Sequence, residues 1–276
     1  MISDITLGQY FPGNSPVHKI DPRIKLLMTI VLIVSIFVCK NIYGFLFLAL
    51  LTFLLTLVSG ISLRVILKGL KPVLFLLLFT TLIQVFFTHG GVTLVSFYFI
   101  RIDSNGILYA IHTVFRIVTL IALSGVLLSY TTSPIVLTNG IEGLLLPLSK
   151  IGVPIHDFSM MMSMALRFIP TLVEETDKIM SAQRVRGTDF SEGGLIRRAK
   201  AIIPIFIPLL FSAIRRAMDL ACAMECRCYR GGAGRTKFRV LRLRFSDFVW
   251  LFGAALTVAA VFVINRYTAA LPFTPM

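Results

Sequence analysis

Five stretches of this chain are apolar and close to membrane length, and no water-soluble fold can hold that many. They cover residues 26–38, 42–58, 72–87, 107–128 and 248–264. A transmembrane helix needs about 20 apolar residues and can be as short as about 17. Only Lys40 and Asn41 separate the first two runs. The pair reads as a tight hairpin of two short spans, the first starting near Ile24, with Lys40 reaching to the interface. The alternative is one span plus a buried or re-entrant piece. Composition agrees with a membrane protein. Of 276 residues, 57% are hydrophobic and 14% charged, against about 25% charged in soluble domains, and the mean hydropathy is +0.88. The expected fold class is an all-α polytopic membrane protein: about five transmembrane helices plus a cytosolic-side domain of long amphipathic helices.

Charge sets the expected topology. The chain carries 27 Lys and Arg against 13 Asp and Glu, a net charge of +14. Such a balance can mark nucleic-acid binding. Here the basic residues flank apolar runs, so the positive-inside rule accounts for them and no nucleic-acid partner is expected. Basic residues at 19–25, 64–71 and 178–244 belong on one side, and the loops near residue 40 and at 88–106 carry few. The expected order is a cytosolic N-terminal segment (1–23), four spans (24–130), a cytosolic region (131–246), and a last span with an outward C-terminus (247–276). The first residues lack the apolar core of a cleavable signal peptide, so the first span is expected to act as the insertion signal. The expected location is a multi-pass protein of the bacterial cell membrane.

Some residues resist this simple scheme. His112 and Arg116 fall in the fourth run, where charge is costly. Arg116 reads equally as facing a polar partner, inside the bundle or in another subunit, or as snorkelling from a tilted helix. Of the four cysteines, Cys39 lies in an apolar run, and Cys222, Cys226 and Cys228 lie close together in a basic setting. That is no extracellular disulfide framework. Cys222 and Cys226 stand four apart and could hold a metal, but no histidine is near, and small helix-packing residues are the favoured reading.

In the long insert, Thr131-Thr132-Ser133-Pro134 reads as a hydroxyl-capped helix start. A short helix to about residue 150 follows, ended at 152–154. A second helix is expected over 155–186 and a third over 195–229, both with apolar positions every three or four residues. Pro204 and Pro208 should bend the third or split off its first part. Upstream, Arg64, Lys68 and Lys71 read as a loop, and residues 92–106 as an interfacial loop.

The two long helices end alike. The first closes on Ala182-Gln183-Arg184-Val185-Arg186-Gly187, the second on Ala223-Met224-Glu225-Cys226-Arg227-Cys228-Tyr229. An arginine in a last turn complements the helix macrodipole by about 0.3–1 kcal/mol, and a following glycine caps the helix. One such end needs no further meaning. Two ends, with Arg186 and Arg227 forty-one residues apart and flanked by small or short side chains, suit a two-fold or pseudo-two-fold partner whose grooves receive a guanidinium. Met160, Met161, Met162 and Met164 fit an adaptable contact or ordinary packing.

The parts of common enzyme centres are missing. His18, His89, His112 and His156 lie in four separate segments, and no His-x-x-x-His pair or phosphate-binding P-loop occurs. Ser124-Gly125 lacks the preceding glycine of an intramembrane serine hydrolase, and Asp177, Asp189 and Asp219 are too scattered to hold a cation. Gly231-Gly232-Ala233-Gly234-Arg235 reads as a helix terminator with a basic tail that can touch anionic lipid. No catalytic residue, cofactor or metal is expected. The alternative function is a self-contained secondary transporter or channel, which would need converging midplane polar groups and often repeated halves. His112 and Arg116 are thin support for it, and no repeated halves are visible.

Three motifs make the chain similar to a known family. They are Tyr10-x-Pro12-Gly13-Asn14-Ser15-x-x-His18-x-x-Asp21-Pro22-Arg23-x-Lys25-Leu26; Ala165-Leu166-Arg167-Phe168-Ile169-Pro170 with Glu174 and then 182–187; and 223–232. Together they resemble the transmembrane coupling component of energy-coupling factor transporters, the ABC-type importers of vitamins and transition metals, over nearly the whole chain. The resemblance implies a non-catalytic subunit. Its partners would be two ABC-type ATPases, alike or different, and a small substrate-binding membrane subunit. It makes Arg186 and Arg227 the ATPase-docking residues, with Val185, Gly187, Cys226 and Cys228 beside them and Ala182, Gln183, Arg184, Ala223, Met224, Glu225 and Tyr229 supporting. Val185 stands where the family has alanine, and Cys226 and Cys228 stand where it has alanine and glycine. Cys228 lacks glycine's freedom at positive φ.

Overall fold

The computed structural model describes residues 10–88, 90, 93–97, 100–188, 194–231 and 243–268. The chain divides into two compact units, residues 8–143 with 241–276, and residues 1–7 with 144–240.

The first unit is the apolar bundle. Its helices are α1 (Pro22–Val38), α2 (Ile42–Ser59), α3 (Leu63–Leu70), α4 (Leu74–Phe87), α5 (Ser104–Ser124) and α9 (Phe245–Thr268). The α1–α2 pair is two separate helices, joined at Cys39–Asn41. Among the described residues, four helical segments are long and apolar enough to cross a membrane: Ile42–Ser59, Leu63–Phe87, Ser104–Tyr130 and Phe245–Tyr267. At 17 residues, α1 reaches the lower limit for a span. The protein is thus all-α and polytopic, as its composition dictates.

The bundle core runs along one stripe of α1. Ile24, Met28, Leu32 and Ile36 recur every four residues, are nearly inaccessible, and pack with Phe45 and Leu48 of α2, Leu123 of α5 and Val261 of α9. On α2 the buried face carries Thr52, Thr56 and Ser59, each hydroxyl donating to a backbone carbonyl three or four residues back at 2.8 Å. The opposite faces are large and apolar, as at Leu46, Leu50, Phe75 and Phe252. Apolar side chains on both faces, with the few hydroxyls turned inward, is the membrane pattern, since lipid-facing surface has no need to hide.

Several local expectations are revised. Arg64, Lys68 and Lys71 belong to no loop. Arg64 and Lys68 lie on α3, which runs through a 3₁₀ turn at Lys71–Val73 into α4, so helix extends from Leu63 to Phe87. Pro72 is accommodated by that 3₁₀ turn: the Lys71 amide donates to Leu67 O and Lys68 O, so the Lys68 carbonyl that Pro72 cannot serve keeps a partner. Part of the 92–106 stretch is a two-stranded antiparallel hairpin, β1 (Thr93–Phe97) with β2 (Ile100–Asp103), pairing Ser96 with Arg101 and Phe97 with Ile100. The next residues already open α5. That helix ends in a π-helical turn, Gly125–Tyr130. There Thr131 and Thr132 do not simply cap the next helix: both hydroxyls donate to Leu127 O, at 2.9 and 3.3 Å.

A polar junction closes the end of the bundle where α1 starts. Lys25 is 1% exposed, and its Nζ donates to Thr131 O, Thr131 Oγ1 and Thr132 Oγ1 at 3.0–3.2 Å. Asp247, also 1% exposed, accepts the Asp21 amide on Oδ1 and the Arg244 amide on Oδ2, at 3.2 and 2.8 Å. One carboxylate therefore serves the starts of both α1 and α9. The helix α6 (Pro134–Leu145) presents Gly140 and Gly143 to Pro22 and Arg23, where a side chain would collide.

In the second unit, a 3₁₀ turn (Leu146–Ile151) leads to Gly152 at φ +89°. Then come two long helices, α7 (Ile155–Val185) and α8 (Leu195–Cys226). Pro204 and Pro208 do not split α8, which runs unbroken through both, as α7 does through Pro170.

Candidate docking site at two capped helix ends

The chain leaves α7 and α8 by the same backbone route. Arg186 is the C-cap of α7 and Arg227 the C-cap of α8. Gly187 follows at φ +87° and Cys228 at φ +57°. In the first cap Thr188 N donates to Gln183 O and Gly187 N to Arg184 O, both at 3.0 Å. In the second, Tyr229 N donates to Met224 O at 3.0 Å and Cys228 N to Glu225 O at 2.8 Å. These are the paired bonds of a Schellman motif, which satisfy carbonyls the helix leaves orphaned. Cys228 is the one non-glycine residue at positive φ among the described residues. Its Cβ does not stop it from adopting the glycine-like turn.

The caps present the arginines outward. Arg186, Gly187, Cys226, Arg227 and Cys228 are exposed, and Val185 is 91% exposed. Of the supporting residues, Ala182, Arg184, Ala223 and Glu225 are exposed, while Gln183, Met224 and Tyr229 are partly covered. Cys222, Cys226 and Cys228 are free and exposed, so they are surface thiols rather than helix-packing residues. Cys39 is buried. Among the described residues no three His, Cys, Asp or Glu side chains converge as a metal site.

The two helices pack against each other with opposite sense. Glu175 on α7 meets Arg216 on α8 at 3.1 Å. Further back on α7, Met160, Met164, Arg167 and Phe168 line a groove with later residues of α8, including Leu220, Met224 and Arg227. As position falls on α7 it rises on α8, so the two C-terminal ends lie on opposite sides of the crossing. The groove, about 970 Å³, carries Arg167, Arg227 and Arg230 and no acidic side chain.

The arginine tips and Gly187 are legible from sequence; the Glu175–Arg216 ion pair is less so. Its signal was present, however. Glu174-Glu175 and Arg215-Arg216 occupy positions related by the same forty-one-residue offset as Arg186 and Arg227. By sequence Lys25 reads as one of the basic residues flanking the first span, whereas it is enclosed in the junction described above.

An all-α membrane bundle together with a pair of long helices that end in matched arginine caps defines a class: a polytopic membrane protein with a paired-helix element. The comparisons narrow it. The CbiQ family model, described as cobalt transport protein, matches residues 13–238. A protein from Ruminiclostridium cellulolyticum named energy-coupling factor transporter transmembrane protein EcfT is 48% identical over 264 residues, covering 96% of this chain and 97% of that one. One of the same name from Clostridium kluyveri is 47% identical over 267 residues, covering 96% and 98%. Another from Lactococcus lactis subsp. cremoris is 46% identical over 246 residues, covering 89% and 92%. The chain belongs to this family, the transmembrane T components of energy-coupling factor transporters.

Proposed function

We propose that this chain couples two ABC-type ATPases to a small substrate-binding membrane subunit in an importer of vitamins or transition-metal micronutrients. Arg186 and Arg227 each enter a groove on one ATPase. Closure of the ATPase pair on ATP moves the two tips, and α7 and α8 carry that motion to the substrate-binding subunit. ATP hydrolysis belongs to the partners, since this chain has no phosphate-binding loop. The positive-inside rule, applied to the basic segments, supports a cytoplasmic N-terminus and cytoplasmic coupling helices in a bacterial cell, with the bundle in its membrane.

The observation that carries this reading is the repeated cap: two exposed arginines, each held at a helix end by the same pair of backbone bonds. A cap that served only its own helix would not need a second copy at matching distance from a shared crossing. On α8, Phe206, Ile207, Phe211, Ile214 and Met218 are each half or more exposed or nearly so, which supplies an apolar face for the membrane subunit.

Gentle purification of the tagged chain tests the assembly. Two ABC ATPases and a small membrane protein should accompany it. A chain that purifies alone and transports substrate in liposomes would refute the reading. Arg186→Glu combined with Arg227→Glu should abolish ATPase association while leaving membrane insertion intact.

A further inference from the structure

Helix α8 ends among three exposed thiols, and one of them lines a basic groove. Cys222, Cys226 and Cys228 are all free and exposed, yet of the three only Cys228 lines the groove between α7 and α8. Arg167, Arg227 and Arg230 share that lining, and all three are exposed. No Asp or Glu lines the groove; Glu225, the acid nearest Cys228 in sequence, lies outside the lining. Among the described residues no carboxylate pairs with these three guanidinium groups. Met164 and Phe168 add apolar surface beside them. The volume of about 970 Å³ is at the upper end of the range that holds small organic ligands, about 300–1,000 Å³, and admits a molecule of tripeptide size.

Helix geometry separates the thiols further. Cys222 and Cys226 stand four apart on α8, which sets their Cβ atoms about 5–6 Å apart. A disulfide needs about 3.5–4.5 Å, so these two do not bridge on the intact helix. Cys228 has left the helix and stands at φ +57° in the cap, next in sequence to Arg227. An unmatched cluster of positive charge raises the local concentration of anions, so an anionic reagent reaches Cys228 more often than it reaches the two cysteines outside the groove.

We propose that Cys228 is a site of thiol–disulfide exchange with a small anionic disulfide of the oxidised-glutathione class, seated by Arg167, Arg227 and Arg230. Guanidinium forks match the carboxylates of such a molecule. The Cys228 sulfur, as thiolate, attacks one sulfur of the disulfide. A new S–S bond forms, the old one breaks, and the departing sulfur leaves with the electron pair and takes up the proton that Cys228 gave up. Cys228 is oxidised and the departing thiol reduced, so the disulfide is the only oxidant needed. The adduct then occupies the groove beside Arg227. On the docking role proposed above for Arg227, it holds the ATPase off, and an oxidised thiol pool uncouples the subunits.

Disulfides of three charges test the site on the full chain in nanodiscs. Oxidised glutathione is anionic, hydroxyethyl disulfide neutral and cystamine cationic, and peptide mass spectrometry reads the rate at each cysteine. With oxidised glutathione, Cys228 should react about tenfold faster than Cys222 or Cys226, the low end of electrostatic focusing. Hydroxyethyl disulfide should show little preference, and cystamine should avoid Cys228. Arg167→Gln combined with Arg230→Gln should cut the preference to about two- or threefold, and so should salt at about 1 M. Equal rates at the three cysteines with oxidised glutathione would overturn the site. So would a preference for Cys228 shared by all three reagents, or loss of two hydrogens with no tripeptide added, the mark of an internal bridge. In the full complex, oxidised glutathione should lower ATPase co-purification, and Cys228→Ser should make that recovery indifferent to it. Selective labelling of Cys228 at unchanged ATPase recovery would keep the site and count against docking by Arg227, so the two readings fail separately.

Discussion

Arg216 and Glu175 join α8 to α7 at 3.1 Å, and each stands eleven residues before the arginine that caps its own helix, Arg227 and Arg186 respectively. At 1.5 Å per residue each arm is about 16 Å long. Two arms of equal length from one crossing give the helix pair an approximate two-fold form, with an acidic residue on one helix meeting a basic residue on the other.

This geometry predicts a separation between stability and coupling. The Glu175 and Arg216 side chains are 27% and 37% exposed, so the pair is worth only about 0.2–1 kcal/mol. Glu175→Arg or Arg216→Glu should shift thermal unfolding little, yet weaken ATPase co-purification by misplacing the tips. The double exchange should restore it. Equal ATPase recovery from both single variants and the wild type would rule out a role in setting tip position.

Cys228 holds a left-handed conformation at φ +57°, which costs a residue with a Cβ about 1–2 kcal/mol. Glycine returns part of that through its greater freedom in the unfolded chain. Cys228→Gly should therefore stabilise the second cap by up to about 1 kcal/mol, and Gly187→Ala should destabilise the first by a similar amount. Amide hydrogen exchange at Tyr229 and Thr188, whose N–H groups close the two caps, reads both effects. Faster exchange at Tyr229 in Cys228→Gly would contradict this account.

At the polar junction, Lys25→Met should cost about 2–3 kcal/mol, because it strands the Thr131 carbonyl after removing a charged donor. Asp247→Asn is the subtler test. Both carboxylate oxygens accept a backbone N–H, so an amide must point its NH₂ at one of these donors. A loss of about 1–3 kcal/mol is expected, seen as a lower detergent melting temperature with faster proteolysis near residues 131–133. An unchanged melting temperature in both variants would show the junction to be dispensable.

The two glycines of α6 should respond differently to the same change. A Cβ at Gly140 would meet the Pro22 Cβ, carbonyl carbon and oxygen at 2.9–3.3 Å, and that backbone cannot give way cheaply. A Cβ at Gly143 would meet the Arg23 guanidinium, the far end of a flexible side chain. Gly140→Ala should cost about 1–3 kcal/mol and Gly143→Ala distinctly less, measured as the difference in melting temperature. The reverse order would mean that Arg23 is pinned.

Much of the molecule was legible in the chain itself. The apolar runs announced the bundle, and the three- and four-residue recurrence announced α7 and α8 to within a few residues. Gly187 announced its own cap. Less legible were features in which a residue serves a partner distant in sequence. Lys25 reads as one more interfacial cation until Thr131 and Thr132 enclose it. Arg64 and Lys68 read as loop because polar residues interrupt an apolar run, although their spacing also suits an amphipathic turn. Cys222 and Cys226 read as packing residues because cysteine is usually buried.

The amino-acid order by itself determined the class of fold, the places where helices begin and end, and the matched arginine tips. These follow from local physics: transfer of apolar side chains from water, backbone bonds satisfied within each helix, and the turn that glycine permits. Only the tertiary structure decided that Glu175 meets Arg216 at equal distance from both tips, that Asp247 caps two helices at once, and that Arg116 stands on Phe45. Each depends on which side chain stands opposite another across a helix interface, and that relation exists only once the helices have packed.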